Sequence, residues 1–362
     1  MNREYPTPNA VFEDLRVLDD WDPPRALPAR IYSNLPWPAD VGGIAVDTLS
    51  RPRVPGAVRS VPLLRTLAGF AADAVLALRL WGRSRVRESV GILEADRAVA
   101  LFGLLRAGMG GRGRVVLLGF YLDPEAGWRR RAIRSAMVHM TWCAVWSREQ
   151  GDRYARALGD RRGRYLTVPY KANHSRDASR TVPPGDYVFS GGNSQRDYRT
   201  LFAAVDSLDI PVVVSSTDPR ATRDLVVPPN VDLVEEGEPR YRELMAGARI
   251  VVVPLSGGRL RGAGEATFLN AMWHGRPVVC ADDVSAPEYV EDGVDGRVVP
   301  PGDAGALRAA LVSLWEDPAR AGAMGRAGRT KVEAGYTHRH YVERVLKLGA
   351  WLALGNRPPH AD

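Results

Sequence analysis

From residue 30 onward the chain alternates between two hydrophobic patterns. Short apolar runs, typical of strands buried on both faces, are followed by segments whose apolar residues lie three and four positions apart, typical of helices. Strands that alternate with helices predict a parallel sheet covered by helices. The predicted strands are Arg30–Ser33, Val90–Leu93, Val115–Phe120, Ala144–Ser147, Arg164–Val168, Tyr187–Ser190, Val212–Ser215, Val231–Val234, Ile250–Pro254, Pro277–Ala281 and Gly296–Val299.

The helical pattern fills the intervals between these runs. A final helical stretch begins at Ala304 and continues beyond Trp315. The other predicted helices are Leu64–Trp81, Ala95–Arg106, Trp128–Met140, Glu149–Leu158, Asp197–Leu208, Tyr241–Ala246 and Ala266–His274.

Two segments interrupt the alternation and divide the chain. Residues 1–29 are rich in Pro and Asp and predict an irregular arm, and residues 171–186 are polar and aperiodic and predict a linker. The sequence therefore predicts an α/β protein with Rossmann-like domains over 30–170 and 187–335. We expect the two domains to face a central cleft, because ligands of such sheets bind at the carboxyl ends of the strands. We expect residues 336–362 to form a helix and tail that can pack back on the N-terminal domain.

Composition narrows the class of protein. The chain has 362 residues, 45% hydrophobic and 25% charged, which is ordinary for a soluble globular protein. Its two cysteines, Cys143 and Cys280, lie in apolar runs and exclude a disulfide scaffold. No signal-like apolar segment opens the sequence, so we expect a cytoplasmic protein. The apolar stretch Val61–Trp81 carries charges and predicts an amphipathic helix, either packed in the core or docked on a membrane surface.

Charge is unevenly distributed. The net charge is +7, and residues 1–180 have a net charge of +11 against −4 for the remainder. A basic half favours an anionic partner, and contact with the inner face of a membrane stays open. The basic clusters lack the interleaved aromatic residues of nucleic-acid motifs, so no nucleic-acid partner is expected.

Two loops carry candidate phosphate chemistry. In the first, Gly191, Gly192 and Asn193 follow a strand, and Arg196 precedes a helix. In the second, Arg259 and Arg261 precede a helix start that reads Gly264-Glu265-Ala266-Thr267. Glycine has no side chain, so it allows the backbone to approach a ligand closely. The N-terminus of a helix favours bound anions, and the planar guanidinium of arginine can donate two hydrogen bonds to phosphate oxygens. The alternative for each loop is a plain strand–turn–helix connection.

The second half resembles the retaining GT-B-fold glycosyltransferases of the glycosyl transferases group 1 type, which include sucrose-phosphate and polysaccharide-assembly enzymes. The resemblance covers residues 187–345. It rests on Phe268–Met272 where the family has LLEAM, Gly275–Val279 for GTPVV, Pro287–Val290 for PEIV, and Asp292–Asp303 for the DG-x-NG-x-LV-x-PGD block. It implies a GT-B fold and transfer of a sugar from a nucleotide-diphosphate sugar to an acceptor hydroxyl, with retention of configuration.

The resemblance also implies the site. The donor-binding candidates are Gly191, Gly192, Asn193, Arg196, Arg261, Gly264, Glu265, Ala266, Thr267 and Asn270. The paired glutamates of the family, spaced E-x7-E, fall on Gly262 and Asn270, and Glu265 can substitute for the first of them.

The acceptor side is less well defined. Asp123 is the candidate base in the N-terminal half, with Glu94 and Asp96 as alternatives, and Glu265 is the second catalytic candidate. We expect the acceptor to be a glycan, a lipid-linked molecule or a small molecule. No metal ligand set and no cofactor are expected beyond the donor substrate. Two alternatives stay open, namely a non-catalytic sugar-nucleotide-binding protein and an epimerase or hydrolase on the same fold.

Overall fold

A computed structural model describes residues 14–24, 27, 29–37, 44–53, 62–94, 97–119, 142–159, 162–176 and 182–355. The chain forms two compact units. The first unit comprises Met1–Pro169 with Val342–Asp362, and the second comprises Tyr170–Tyr341.

The first unit contains a six-stranded parallel sheet in the order β2–β1–β3–β4–β5–β6. The central strands are buried, as expected for a sheet covered on both faces. The strands are β1 Arg30–Ser33, β2 Val46–Thr48, β3 Ser89–Glu94, β4 Arg114–Leu118, β5 Trp142–Val145 and β6 Tyr165–Thr167; the helices are α1 Pro62–Ser84, α2 Arg97–Met109 and α3 Arg148–Leu158.

The second unit contains another six-stranded parallel sheet, in the order β12–β11–β10–β7–β8–β9. The strands are β7 Val188–Gly191, β8 Val212–Ser215, β9 Val231–Val234, β10 Ile250–Val253, β11 Val278–Ala281 and β12 Gly296–Val299; the helices are α4 Tyr198–Val205, α5 Arg240–Gly247, α6 Glu265–Trp273, α7 Ala286–Tyr289, α8 Ala304–Glu316 and α9 Pro318–Gly335. Two parallel sheets with helices confirm the predicted α/β class.

The last described helix, α10 (His338–Ala353), crosses the boundary between the units at residue 342. Its later part packs within the first unit, where the buried Arg344 forms an ion pair with Asp19. Lys347 adds hydrogen bonds to the carbonyls of Leu18 and Asp19. The segment before β1 is therefore attached to α10 by charged groups.

The segment 171–186, predicted as a linker, begins inside the second unit. Ala172 is buried and bridges to Thr337, and the turn Asn173–Arg176 follows it. The N–H of Ala172 donates to the carbonyl of Tyr336 at 2.8 Å. Residues 177–181 lie outside the described part of the chain.

Candidate functional site

The loop after β7 is built around Arg196. Its Nε donates to the carbonyl of Gly191 at 3.0 Å and its Nη1 to the carbonyl of Ser194 at 2.8 Å. Its Nη2 donates to Oγ1 of Thr267 on α6 at 2.9 Å. Gly192 has a φ of 109°, and a Cβ there would lie 2.8 Å from Nη2 of Arg196, so a side chain would displace the guanidinium. The structure therefore fixes Arg196 between its own loop and the start of α6.

The start of α6 lies against the guanidinium of Arg196. Gly264 precedes the helix with a φ of 91°, and no side-chain hydrogen bond caps it. The first turn of an uncapped helix presents backbone N–H groups and the positive end of the helix dipole. Thr267 in this turn is the residue that accepts from Arg196. The predicted loop and the predicted helix start are thus brought together, as an anion site requires.

Two further predicted donor residues lie near the carboxyl ends of the strands in the second unit. Arg261 donates to Oγ of Ser194 at 2.9 Å, which places a second guanidinium beside the Arg196 loop. Asn193 accepts from Oγ of Ser216 at 2.8 Å and donates to Oγ1 of Thr217 at 2.7 Å. Asn193 therefore joins the carboxyl end of β7 to that of β8, and its side chain stays exposed.

Glu265 lies at the first position of α6 and is only 3% exposed. Ser285 donates its hydroxyl to Oε1 of Glu265 at 2.5 Å. Burial raises the pKa of this carboxyl, and the hydrogen bond from Ser285 opposes the shift. A Cβ at Gly262 would collide with both Glu265 and Ser285, so the space for a side chain at position 262 is occupied.

Asn270 is hydrogen-bonded to the turn Asn173–Arg176. Its Oδ1 accepts from the N–H of His174 at 3.0 Å, and the residue is 6% exposed. The ring of His174 contacts the ring of His274 at 2.9 Å between Nδ1 and Nε2, and its Nε2 lies 3.2 Å from Oε1 of Glu238. Burial lowers the pKa of His274 to about 3, and the neighbouring His174 and arginines add to this effect. His274 is the C-cap residue that directly follows Trp273, the last residue of α6.

The role of His174 was not predicted from the sequence. It lies in a polar segment with no periodicity, so no local pattern indicated a buried ring there.

The acceptor-side candidates are only partly described. Asp123 and Asp96 lie outside the described residues. Glu94 ends β3 in the first unit, where its N–H donates to Oδ1 of Asn34 at 2.8 Å and its carbonyl accepts from Nδ2 of Asn34 at 3.0 Å. The described part of the chain contains no group of three or more His, Cys, Asp or Glu residues arranged to hold a metal ion.

Sequence comparisons point to one family. Residues 202–317 match the model of the family Glycosyl transferases group 1. Over 121 residues the chain is 33% identical to a GDP-mannose-dependent monoacylated alpha-(1-6)-phosphatidylinositol monomannoside mannosyltransferase of Corynebacterium glutamicum. Over 77 residues it is 44% identical to a GDP-mannose-dependent alpha-(1-6)-phosphatidylinositol monomannoside mannosyltransferase of Mycolicibacterium smegmatis. The alignments cover 31% and 20% of each chain, so this chain spans less than a third of the length of the curated relatives it matches.

Solved structures share the fold over most of the chain. A complex of HepE from Anabaena with UDP superposes with a TM-score of 0.59 at 15% identity, covering 86% of both chains. Sucrose-phosphate synthase from Thermosynechococcus elongatus has a TM-score of 0.59 at 16% identity and covers 95% of this chain and 92% of its own.

The likeness to these structures confirms the predicted GT-B fold, with its two parallel sheets covered by helices. Within the second unit, residues 202–317 are similar to the glycosyl transferases group 1 family.

Proposed function

We propose that the protein transfers a sugar from a nucleotide-diphosphate sugar to an acceptor hydroxyl. The observation that carries this proposal is the contact between Arg196 and Thr267, which fixes a guanidinium at the uncapped first turn of α6. A preorganised cation and backbone N–H groups stabilise the charge that grows on a leaving diphosphate, because they need no rearrangement during the reaction. The donor residues are then Gly191, Gly192, Asn193, Arg196, Arg261, Gly264, Ala266 and Thr267.

The transfer breaks the bond between the anomeric carbon and the diphosphate oxygen and forms a bond to the acceptor oxygen. The acceptor hydroxyl loses its proton, and the nucleoside diphosphate leaves with the electron pair of the broken bond. We expect retention of configuration, which the resemblance to the family implies. Asp123 stays the candidate base.

The related proteins suggest which donor to test first. Both curated relatives are named as GDP-mannose-dependent, and the HepE structure holds UDP. We therefore propose GDP-mannose as the first donor and UDP-sugars as the second. The acceptors of the relatives are phosphatidylinositol mannosides by name, so a lipid-linked sugar is the first acceptor to test.

A screen of GDP, UDP, ADP and TDP for thermal stabilisation tests the donor site. A nucleotide at about 100 times its dissociation constant stabilises the folded protein by about 2.7 kcal/mol. We expect a rise in melting temperature with GDP or UDP. No shift with any of the four nucleotides would contradict the proposed donor site.

Product analysis with the nucleotide sugar that binds separates transfer from the two alternatives. A glycosylated acceptor supports the proposal. Free sugar or an epimerised nucleotide sugar, with no glycosylated product, supports a hydrolase or an epimerase. Nucleotide binding without turnover, across glycan, lipid-linked and small-molecule acceptors, supports a non-catalytic binding protein.

We further propose that α1 brings the protein to an anionic membrane surface. Its exposed face carries an apolar stripe at helical spacing, and Leu67, Phe70 and Leu78 are 56%, 51% and 51% exposed. Exposed apolar patches of this kind mark interaction surfaces. Arg97 lies over the ring of Phe70 at 5.0 Å, so a cation borders the stripe. None of the described helices combines the length and hydropathy needed to cross a bilayer.

Vesicle sedimentation tests this surface. We expect the protein to bind phosphatidylglycerol vesicles more than phosphatidylcholine vesicles, and the double variant Phe70→Glu/Leu78→Glu to bind about tenfold less. Val226→Glu is the matched control, since Val226 is 92% exposed and lies in the second unit. Equal loss in the control, or no loss in the double variant, would contradict the proposed surface.

A further inference from the structure

Glu265 is buried at the point where three segments of the second unit meet. The loop that contains Gly262 approaches its carboxyl from one side, and Ser285, directly before α7, approaches it from another. Glu265 itself begins α6. The single hydrogen bond from Ser285, at 2.5 Å, therefore connects the start of α6 to the start of α7.

The charged groups around this carboxyl favour its neutral form. Among the described residues, Glu265 forms no ion pair, and the more distant charge of Arg196 favours its ionised form only weakly. Asp283 is 7% exposed and its negative charge disfavours a second anion nearby. The phenol of Tyr289 is also buried within the field of Glu265. A buried carboxylate without a paired cation is costly, so the proton is retained to a higher pH.

The position of the carboxyl also explains why residue 262 is glycine. A side chain at position 262 would begin where Oε1 of Glu265 and Oγ of Ser285 already lie. The carboxyl of Glu265 thus fills space inside the protein, next to the loop that carries Arg261. At 3% exposure it presents almost no surface to a ligand.

We propose that Glu265 is a positioning residue that acts as a neutral carboxylic acid, holding the Gly262 loop and Ser285 against the first turn of α6. In this role it shapes the surface that faces the donor phosphates and does not touch the donor. The effect on the reaction rests on the proposed function, whereas the effect on the folded state does not.

The decisive comparison is between the wild-type protein and Glu265→Gln, the neutral isostere of the protonated side chain. A group whose pKa is raised in the folded state contributes stability that is present below its unfolded pKa and is lost as pH rises through the folded value. Glutamine does not titrate. The melting temperature of the wild type, minus that of Glu265→Gln, is therefore expected to fall as pH rises from 5 to 9. A constant or rising difference would overturn the proposal.

Nucleotide affinity gives the second readout, with GDP and UDP as probes. We expect Glu265→Gln to bind within about twofold of wild type, whereas Glu265→Ala, which leaves a cavity and an unpaired Ser285 hydroxyl, binds about tenfold more weakly. Equal tenfold losses in both variants would show that the carboxylate itself contacts the donor.

Ser285→Ala keeps the test independent of whether Glu265→Ala folds. It removes the hydrogen bond to Oε1 and is expected to weaken nucleotide binding severalfold with Glu265 intact. Unchanged affinity in Ser285→Ala would contradict the proposed positioning role of Glu265. If the wild type binds neither nucleotide, the proposed function fails, and the pH dependence of the melting temperature still decides the state of Glu265.

Discussion

The carboxyl edges of the two sheets differ although both sheets have six parallel strands. In the second unit, side chains from separate elements meet there, and Arg196 is held by Thr267. In the first unit, the described contacts at the ends of β1 and β3 include those of Asn34 with the backbone of Glu94, at 2.8 and 3.0 Å, and a hydrogen bond from Oγ of Ser33 to the carbonyl of Ile92 at 2.6 Å. Among the described residues, the second edge holds a cation in place, whereas polar side chains at the first edge bond backbone groups. Two sheets of the same design thus carry different groups at their carboxyl edges, because the loops and not the strands supply those groups.

The family match follows the same division. It covers residues 202–317, which lie wholly within the second unit. A shared donor chemistry with varied acceptors would produce such a distribution. The following variants test the contrast between the two edges, from the largest expected effect to the smallest.

Replacing Arg196 separates the two edges most strongly. Arg196→Ala removes charge-assisted hydrogen bonds, each of which contributes about 1.5–3 kcal/mol, so we expect GDP or UDP to bind about 10- to 100-fold more weakly. Arg196→Lys keeps the positive charge but not the planar guanidinium that can donate two parallel hydrogen bonds, so it is expected to lose less nucleotide affinity than Arg196→Ala. Titration calorimetry measures both. Arg326→Ala, at an exposed position of α9, is the control and should bind as wild type. Unchanged affinity in Arg196→Ala would place the diphosphate elsewhere.

Restoring the family glutamate at position 262 tests how tightly the second edge is packed. Gly262→Glu must displace Glu265 or Ser285, and such overpacking costs about 1–3 kcal/mol. We expect a lower melting temperature and weaker nucleotide binding. A variant as stable as wild type would show that the loop rearranges without cost.

Thr267→Val removes the acceptor that orients Arg196 and keeps the volume of the side chain. The loss of one hydrogen bond is about 0.5–1.5 kcal/mol, so nucleotide affinity should fall severalfold. Because the guanidinium stays charged, the loss is expected to be smaller than in Arg196→Ala. An equal loss of nucleotide affinity in Thr267→Val and Arg196→Ala would mean that Arg196 binds the nucleotide only when Thr267 orients its guanidinium.

Asn34→Ala is the matching change at the edge of the first unit. It removes two hydrogen bonds to the backbone of Glu94, and we expect a stability loss of about 1–3 kcal/mol in denaturant unfolding. The dissociation constant of GDP or UDP should not change. A large change in that constant would remove the contrast between the edges.

Much of the fold was predictable because buried parallel strands have a strong local pattern. Val212–Ser215, Val231–Val234 and Gly296–Val299 have the predicted bounds. β2 was missed, since its three residues form an exposed edge strand with little apolar signal. The predicted helix Trp128–Met140 lies outside the described residues.

For the candidate site, the sequence predicted the individual loops but not the contacts between distant segments. Glycines and arginines before helices indicated two phosphate loops, and these loops do meet at Arg196 and Thr267. The burial of Glu265 and the bond between Asn270 and His174 depend on segments distant in sequence. Tertiary contacts of this kind leave no local pattern, so they could not be predicted from the chain alone.

A crystal structure with bound GDP or UDP tests the central claim most directly. The account predicts that the β-phosphate lies within hydrogen-bond distance of the Arg196 guanidinium and of the backbone N–H groups of Ala266 or Thr267. A nucleotide whose diphosphate lies away from Arg196 and the first turn of α6 would contradict it.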